Sequence, residues 1–222
     1  MLMNNIVIIA PHPDDETLGA GGLILKEKDK GSKVHWIIIT SITAEYGWDE
    51  NLILKRQKEI DLVSSRYNFD SVINLNLPTT RLDTLPILSI VEKIKFEISK
   101  IEPDTLIIPH YSDIHTDHQI SYQASISCSK WFRFPFIKRC LAYETLSETH
   151  WSQSKDFFKP NIFINITEYI DKKIEIMKIY ESEIQTFPNP RSEESMRALA
   201  TFRGSMSGFK AAESFELLLD RS

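Results

Sequence analysis

A chain of 222 residues with 42% hydrophobic content is long enough to bury a sizeable core, and it is expected to form one domain over 1–222. Its 31 acids against 26 lysines and arginines leave a formal net charge of −5, with the basic residues scattered, which argues against nucleic acid and anionic lipid as partners. No apolar run approaches membrane-spanning length, the opening MLMNN precedes only five apolar residues, and Cys128 and Cys140 are too few for a disulfide framework, so a cytoplasmic protein with reduced cysteines is expected.

In chain order, short β-rich runs alternate with segments of helical period. IVIIA at 6–10 precedes a helix expected over 16–30, VHWIIIT at 34–40 precedes one over 51–67, SVINLNL at 71–77 one over 84–100, and TLIIPH at 105–110 one over 117–130. CLAYETL at 140–146 and NIFINIT at 161–167 read as further strands. Helical patterns follow over 168–185 and 190–201, with a proline-framed turn, FPNPRS, at 187–192. No internal repeat or linker interrupts the chain. Strand and helix in alternation predict an α/β fold, a doubly wound, mostly parallel sheet with helices on both faces.

Such sheets bind ligands outside the carboxyl ends of their strands, where the strand order reverses. The first strand ends in HPDDE at 12–16. Taken alone, Asp14 or Asp15 reads equally well as the cap of the following helix. The fourth strand, however, ends in HYSDIHTDHQ at 110–119, and the first and fourth strands are neighbours in a doubly wound sheet. Four of the six histidines, His12, His110, His115 and His118, then share one crevice with Asp14, Asp15, Asp113 and Asp117. Imidazole nitrogens and carboxylate oxygens suit one divalent metal ion, zinc above others, with three protein ligands and a position open for water. His12, Asp15 and His118 are the candidate ligands. Adjacent Asp14 is then free to accept a proton from water that a bound cation has acidified. His115, three residues before His118, is placed to stabilise an oxyanion or protonate a leaving amine. Asp117 reads either as the carboxylate that fixes the His115 ring or as a helix cap. Gly19, Gly21 and Gly22 lack the position and spacing of a dinucleotide-binding loop and are expected to let the first helix pack tightly on the sheet.

With HPDDE and the distant H-x-D-H, the sequence resembles the PIG-L/LmbE-like family of metal-dependent N-deacetylases. LPTTRLDTLP, YETLSETHW, YESEIQTFPNPRS and ALATFRGSMSGFKAAESF extend the resemblance over nearly the whole chain. It implies hydrolysis of an N-acetyl group from an amino sugar or its conjugate, with zinc as the usual metal. The implied roles repeat those read from the chemistry: His12, Asp15 and His118 as ligands, Asp14 as base, His115 as the electrostatic or acid residue. It also places Arg56 near substrate, a residue that otherwise reads as a solvated helix charge. Where many relatives carry an Asp-Gly pair, this chain has Thr79, Thr80, Arg81 and Asp83, which leaves substrate choice open. Relatives often associate, so a homo-oligomer is compatible. Glu144, Trp151, Arg191 and Arg203 suit sugar recognition but are read first as packing or hydrogen-bonding residues internal to the fold. The rival readings are an amidase for another N-acyl conjugate and a non-catalytic binding protein; the second needs a lost ligand or base, and none is lost.

Overall fold

The computed structural model describes residues 3–151 and 157–221. Its centre is a seven-stranded sheet in the order β3-β2-β1-β4-β5-β7-β6. The strands are β1 (Asn5–Ala10), β2 (Lys33–Ser41), β3 (Ser71–Pro78), β4 (Thr105–Pro109), β5 (Arg139–Tyr143), β6 (Ile162–Asn165) and β7 (Ala212–Asp220). The first five are parallel, and β7 lies antiparallel between β5 and β6. Helices α1 (Asp15–Asp29), α2 (Glu50–Tyr67), α3 (Ile87–Ile101), α4 (Thr116–Ser127), α5 (Ile170–Met177) and α6 (Glu193–Ser207) connect them.

The continuous apolar runs of the central strands follow from burial on both faces. In β1, Ile6, Ile8 and Ala10 point into one core layer with residues of α1, α2 and α5, whereas Val7 and Ile9 point into the other beneath α3 and α4. Helix α3 buries Ile90, Ile94 and Ile98, spaced four apart, with Val91 and Ile101 partly buried beside them. Chain order departs from β1 through β2 to β3 on one side and from β4 to β5 on the other. The pair β1 and β4, registered at Ile6 with Thr105 and Ile8 with Ile107, is therefore the switch point.

Helix α1 sits closer to the sheet than a helix with side chains allows. A Cβ at Gly19 would stand 2.2 Å from the Tyr143 ring, and one at Gly22 would stand 2.5 Å from Ile166 Cγ2. Glu213 of β7 accepts from the Gly22 and Leu23 amides at 2.7 and 2.8 Å, and buried Lys173 bridges Glu213 at 2.7 Å and the Leu18 carbonyl at 2.9 Å.

Four elements differ from expectation. Strand β5 stops at Tyr143 instead of 146, because the Glu148 and Thr149 amides turn back onto the Thr145 carbonyl. The helix expected over 168–185 is only α5, after which Tyr180 leaves the helical path and donates its hydroxyl to Glu16 at 2.8 Å. Helix α6 runs past 201 to Ser207 and ends at Gly208 in the left-handed conformation, φ 78°. Strand β7 was not expected, since two glutamates interrupt its apolar pattern, and one of them, Glu213, is spent inside the fold on α1.

Candidate active site

The chain leaves β1 at Ala10 and must turn at once into α1. The turn places Asp14 at φ 132°, ψ −29°, a conformation that costs a residue with a side chain roughly 1–3 kcal/mol. Neither acid caps the helix in the ordinary way: the Asp14 side chain makes no cap bond, and Asp15 Oδ2 accepts from the backbone amide of His12 at 2.9 Å. Glu16 instead reaches back to the Asp14 amide at 3.0 Å. Burial raises the Glu16 carboxyl to about 7 despite its bonds to Thr17, the Asp14 amide and Tyr180.

Across the switch point, the loop after β4 brings up the second cluster. His12 Nδ1 and His118 Nε2 lie 3.4 and 3.3 Å from the same atom, Asp15 Oδ2. The three donor atoms lie within 4.8 Å of one another, so His12, Asp15 and His118 form a two-nitrogen, one-oxygen set. Each histidine has its other nitrogen fixed by a carboxylate: His118 Nδ1 meets Asp113 at 2.8 Å and His12 Nε2 meets Asp117 at 3.0 Å. This is the support that metal-binding imidazoles characteristically carry, and the donor set fits a divalent cation of the zinc type. A second grouping, His12 with His115 and Asp117, is also close enough to hold a cation. Burial opposes charge on His12 and His118, but Asp117 and Asp15 raise the first to about 9, and Asp15 and Asp113 raise the second well above its ordinary value. The same contacts overcome the burial of Asp15 and hold it well below the usual carboxylate range.

Asp117 therefore acts on His12, where the sequence suggested His115. Its carboxylate also accepts the amides of Thr80 and Leu82 at 2.6 and 3.2 Å, anchoring the loop after β3. The helix cap of α4 is His115 itself, whose Nδ1 accepts from the Asp117 amide at 3.1 Å. With Nδ1 occupied as an acceptor, a neutral His115 carries its proton on Nε2. Burial and the neighbouring His12 and His118 push its pKa down to about 4, which keeps the ring neutral. His115 and His12 stand 4.7 Å apart, ring centre to ring centre.

Asp14 lies beside this set with its side chain 3% exposed. Burial drives its carboxyl up to about 8, against the pull of Arg191, whose Nη1 donates to Asp14 Oδ2 at 3.0 Å. Arg191 also donates to Glu183 at 2.5 Å and to Ser147 Oγ at 3.1 Å. It makes the internal hydrogen bonds expected of it and also lines the cavity. Nothing in the sequence links position 191 to position 14; only the return of the α5–α6 connection over β1 does. Arg56 stands on the wall of the same cavity and is no solvated helix charge: its guanidinium donates to the Pro13 carbonyl at 3.0 Å, to Ser182 at 2.8 Å and to Glu183.

His110, counted in the second cluster, does not join the set; it is directed to Glu216 at 3.2 Å and Ser112 at 2.7 Å. Glu144 and Arg203 pair with each other at 2.6 Å in the interior, as read, and Trp151 lies 61% exposed, outside the cavity. The cavity, about 550 Å³, opens above His12, Asp14 and His115 and extends between the β2–α2 connection and the end of β3.

A doubly wound sheet with a His-Asp-His donor set, a spare carboxylate and a deep cavity at its switch point defines an α/β enzyme with a metal-competent centre. The model of the family described as "PIG-L: GlcNAc-PI de-N-acetylase" matches residues 7–129, the span that holds both motifs, and the chain belongs to that family. It is 27% identical over 224 residues to the diacetylchitobiose deacetylase of Thermococcus kodakarensis, covering 95% of this chain and 82% of that one. It is 30% identical over 182 residues to the uncharacterized deacetylase YaiS of Escherichia coli, covering 80% of this chain and 90% of that one. Among solved structures, the conserved protein TT1542 of Thermus thermophilus superposes with a TM-score of 0.79 at 23% identity, over 99% of this chain and 97% of that one, a likeness of fold.

Proposed function

We propose that this chain is an N-deacetylase that hydrolyses the acetamide of an amino sugar or amino sugar conjugate, working as a single domain in the cytoplasm. Among the described residues no helix is long and apolar enough to cross a membrane. The observation that carries the reading is that His12 belongs both to a donor set with Asp15 and His118 and to the lining of a cavity that Asp14 and His115 share, in a chain of this family. Those three donors would hold a divalent cation, zinc by donor type, which when bound polarises a carbonyl and acidifies water. A carboxyl that titrates near pH 8, such as Asp14, exchanges a proton readily around neutrality. Asp14 takes the proton as the water oxygen attacks the acetamide carbonyl, and returns it to the nitrogen as the C–N bond breaks, giving acetate and a free amine. His115 Nε2–H, its ring fixed through Nδ1, donates to the oxygen that develops negative charge. Arg191 holds the Asp14 carboxylate in place, and Arg56 fixes the Pro13 carbonyl at the turn that presents it.

The test is mass spectrometry of N-acetylated sugars and glycoconjugates after incubation with metal-loaded protein. Loss of one acetyl group, with acetate released, is expected. A panel with no acetate release counts against the assignment, and release of a different acyl group supports an amidase for another N-acyl conjugate.

A further inference from the structure

We infer that the cavity selects an uncharged glycosyl partner for the acetylated sugar and discriminates against phosphate- or nucleotide-linked sugars. The inference rests on the N-deacetylase reading. Proteins hold phosphate with free guanidinium or ammonium groups or with the open amides of a helix N-terminus. Donors of both kinds that border the cavity are engaged within the chain. No lysine lines the cavity among the described residues, and its two arginines, Arg56 and Arg191, converge on one carboxylate, Glu183. Their other close partners are also acceptors of the chain: Glu59 at 3.3 Å, Pro13 and Ser182 for Arg56, and Asp14, Ser147 and, at 3.6 Å, Glu148 for Arg191. The N-terminus of α2, which borders the cavity, is closed by Asp49, whose Oδ1 accepts from the Asn51 and Leu52 amides at 2.9 and 3.2 Å. Just before α1 the Asp14 amide donates to Glu16 at 3.0 Å, and at the start of α4 the Asp117 amide donates to His115 at 3.1 Å. Away from any metal held by His12, Asp15 and His118, an incoming phosphate would meet the Glu183 carboxylate with no unengaged lysine or arginine among the described lining residues to offset it.

What the distal wall does offer is neutral. Asn76, Gln57 and Thr43 line it, and Thr43 Oγ1 is buried without a hydrogen-bond partner among the described residues. Trp48, 38% exposed, stands with Leu52 and Ile53 as an apolar face against which a pyranose ring can lie. A volume of about 550 Å³ accommodates more than one sugar ring.

The experiment compares kcat/KM of the metal-loaded enzyme for N,N'-diacetylchitobiose with that for N-acetylglucosamine 1-phosphate and UDP-N-acetylglucosamine. The neutral disaccharide is expected to be preferred by about tenfold or more, as like-charge juxtaposition dictates. Glu183→Gln removes the carboxylate that neutralises both arginines, so the ratio between neutral and anionic substrates should narrow by about tenfold. Trp48→Ala should lower kcat/KM for the disaccharide more than for N-acetylglucosamine, and it remains a readout if Glu183→Gln does not fold. Equal or better turnover of the phosphorylated sugars overturns this inference and leaves the N-deacetylase reading standing. If no sugar releases acetate, the functional reading fails instead. Calorimetry of the same three ligands with the metal-loaded wild-type protein then reads charge selection directly, and tighter binding of the anionic sugars overturns it.

Discussion

Replacing Asp113 by asparagine tests whether the donor set is held from behind. Asp113 is fully buried; Oδ2 meets His118 Nδ1 at 2.8 Å, Oδ1 accepts the Thr149 hydroxyl at 2.6 Å, and its carbonyl accepts from Gln119 at 2.7 Å. Asparagine keeps the volume and the backbone contact but turns a charge-assisted bond to the ring into a neutral one, loosening the aim of His118 Nε2 toward Asp15. Losing such a partner of a metal-binding histidine typically costs about 10- to 100-fold in metal affinity, or about 1.4–2.7 kcal/mol. Thr149→Val removes one hydroxyl and leaves the charge, so its loss should stay below that of Asp113→Asn, at about tenfold or less. The assay is competition for zinc between metal-stripped protein and a chromophoric chelator at fixed pH, with circular dichroism confirming the fold. Wild-type affinity in Asp113→Asn, or a larger loss in Thr149→Val, refutes the reasoning.

Asp14→Asn should retain metal and lose turnover by roughly a hundred- to ten-thousand-fold, measured as acetate release with metal analysis on the same sample. Glu144 is held below its ordinary value of 4.5, because His150, Arg203 and Ser214 outweigh its burial. Its contribution to stability is therefore full above that value and lost as pH falls through the lower folded value, so Glu144→Gln should flatten the acid limb of thermal midpoint against pH. In metal-stripped protein, His12 is raised to about 9, so the stability from its protonated form is complete below about 6.5 and declines as pH rises toward 9; metal loading, which needs the deprotonated ring, should remove that decline in thermal scans. Glu213→Gln leaves Lys173 buried without its counter-charge and should cost about 3–5 kcal/mol in chemical denaturation, and an effect under about 1 kcal/mol would show that the pair does not hold α1.

The sequence by itself determined the parallel core and the position of the candidate site. Apolar runs buried on both faces and helices of three- and four-residue period leave few ways to arrange β1 to β4, and the two His/Asp stretches stand directly after β1 and β4, where strand order reverses. The candidate grouping of His12, Asp15 and His118, with Asp14 beside it, was legible for the same reason, since local spacing sets which side chains a turn presents. Tertiary structure alone decided who supports whom. Asp117 turned from His115 to His12 because the loop after β3 docks its Thr80 and Leu82 amides on that carboxylate, and Asp113 found both His118 and, across 36 residues of chain, Thr149. Arg191 reached Asp14 over a separation of 177 residues, and β7 became a strand by pairing between β5 and β6 while Glu213 was absorbed by α1. Periodicity reports which face of an element is buried. It carries nothing about which distant acceptor a long or charged side chain meets once those faces close on one another.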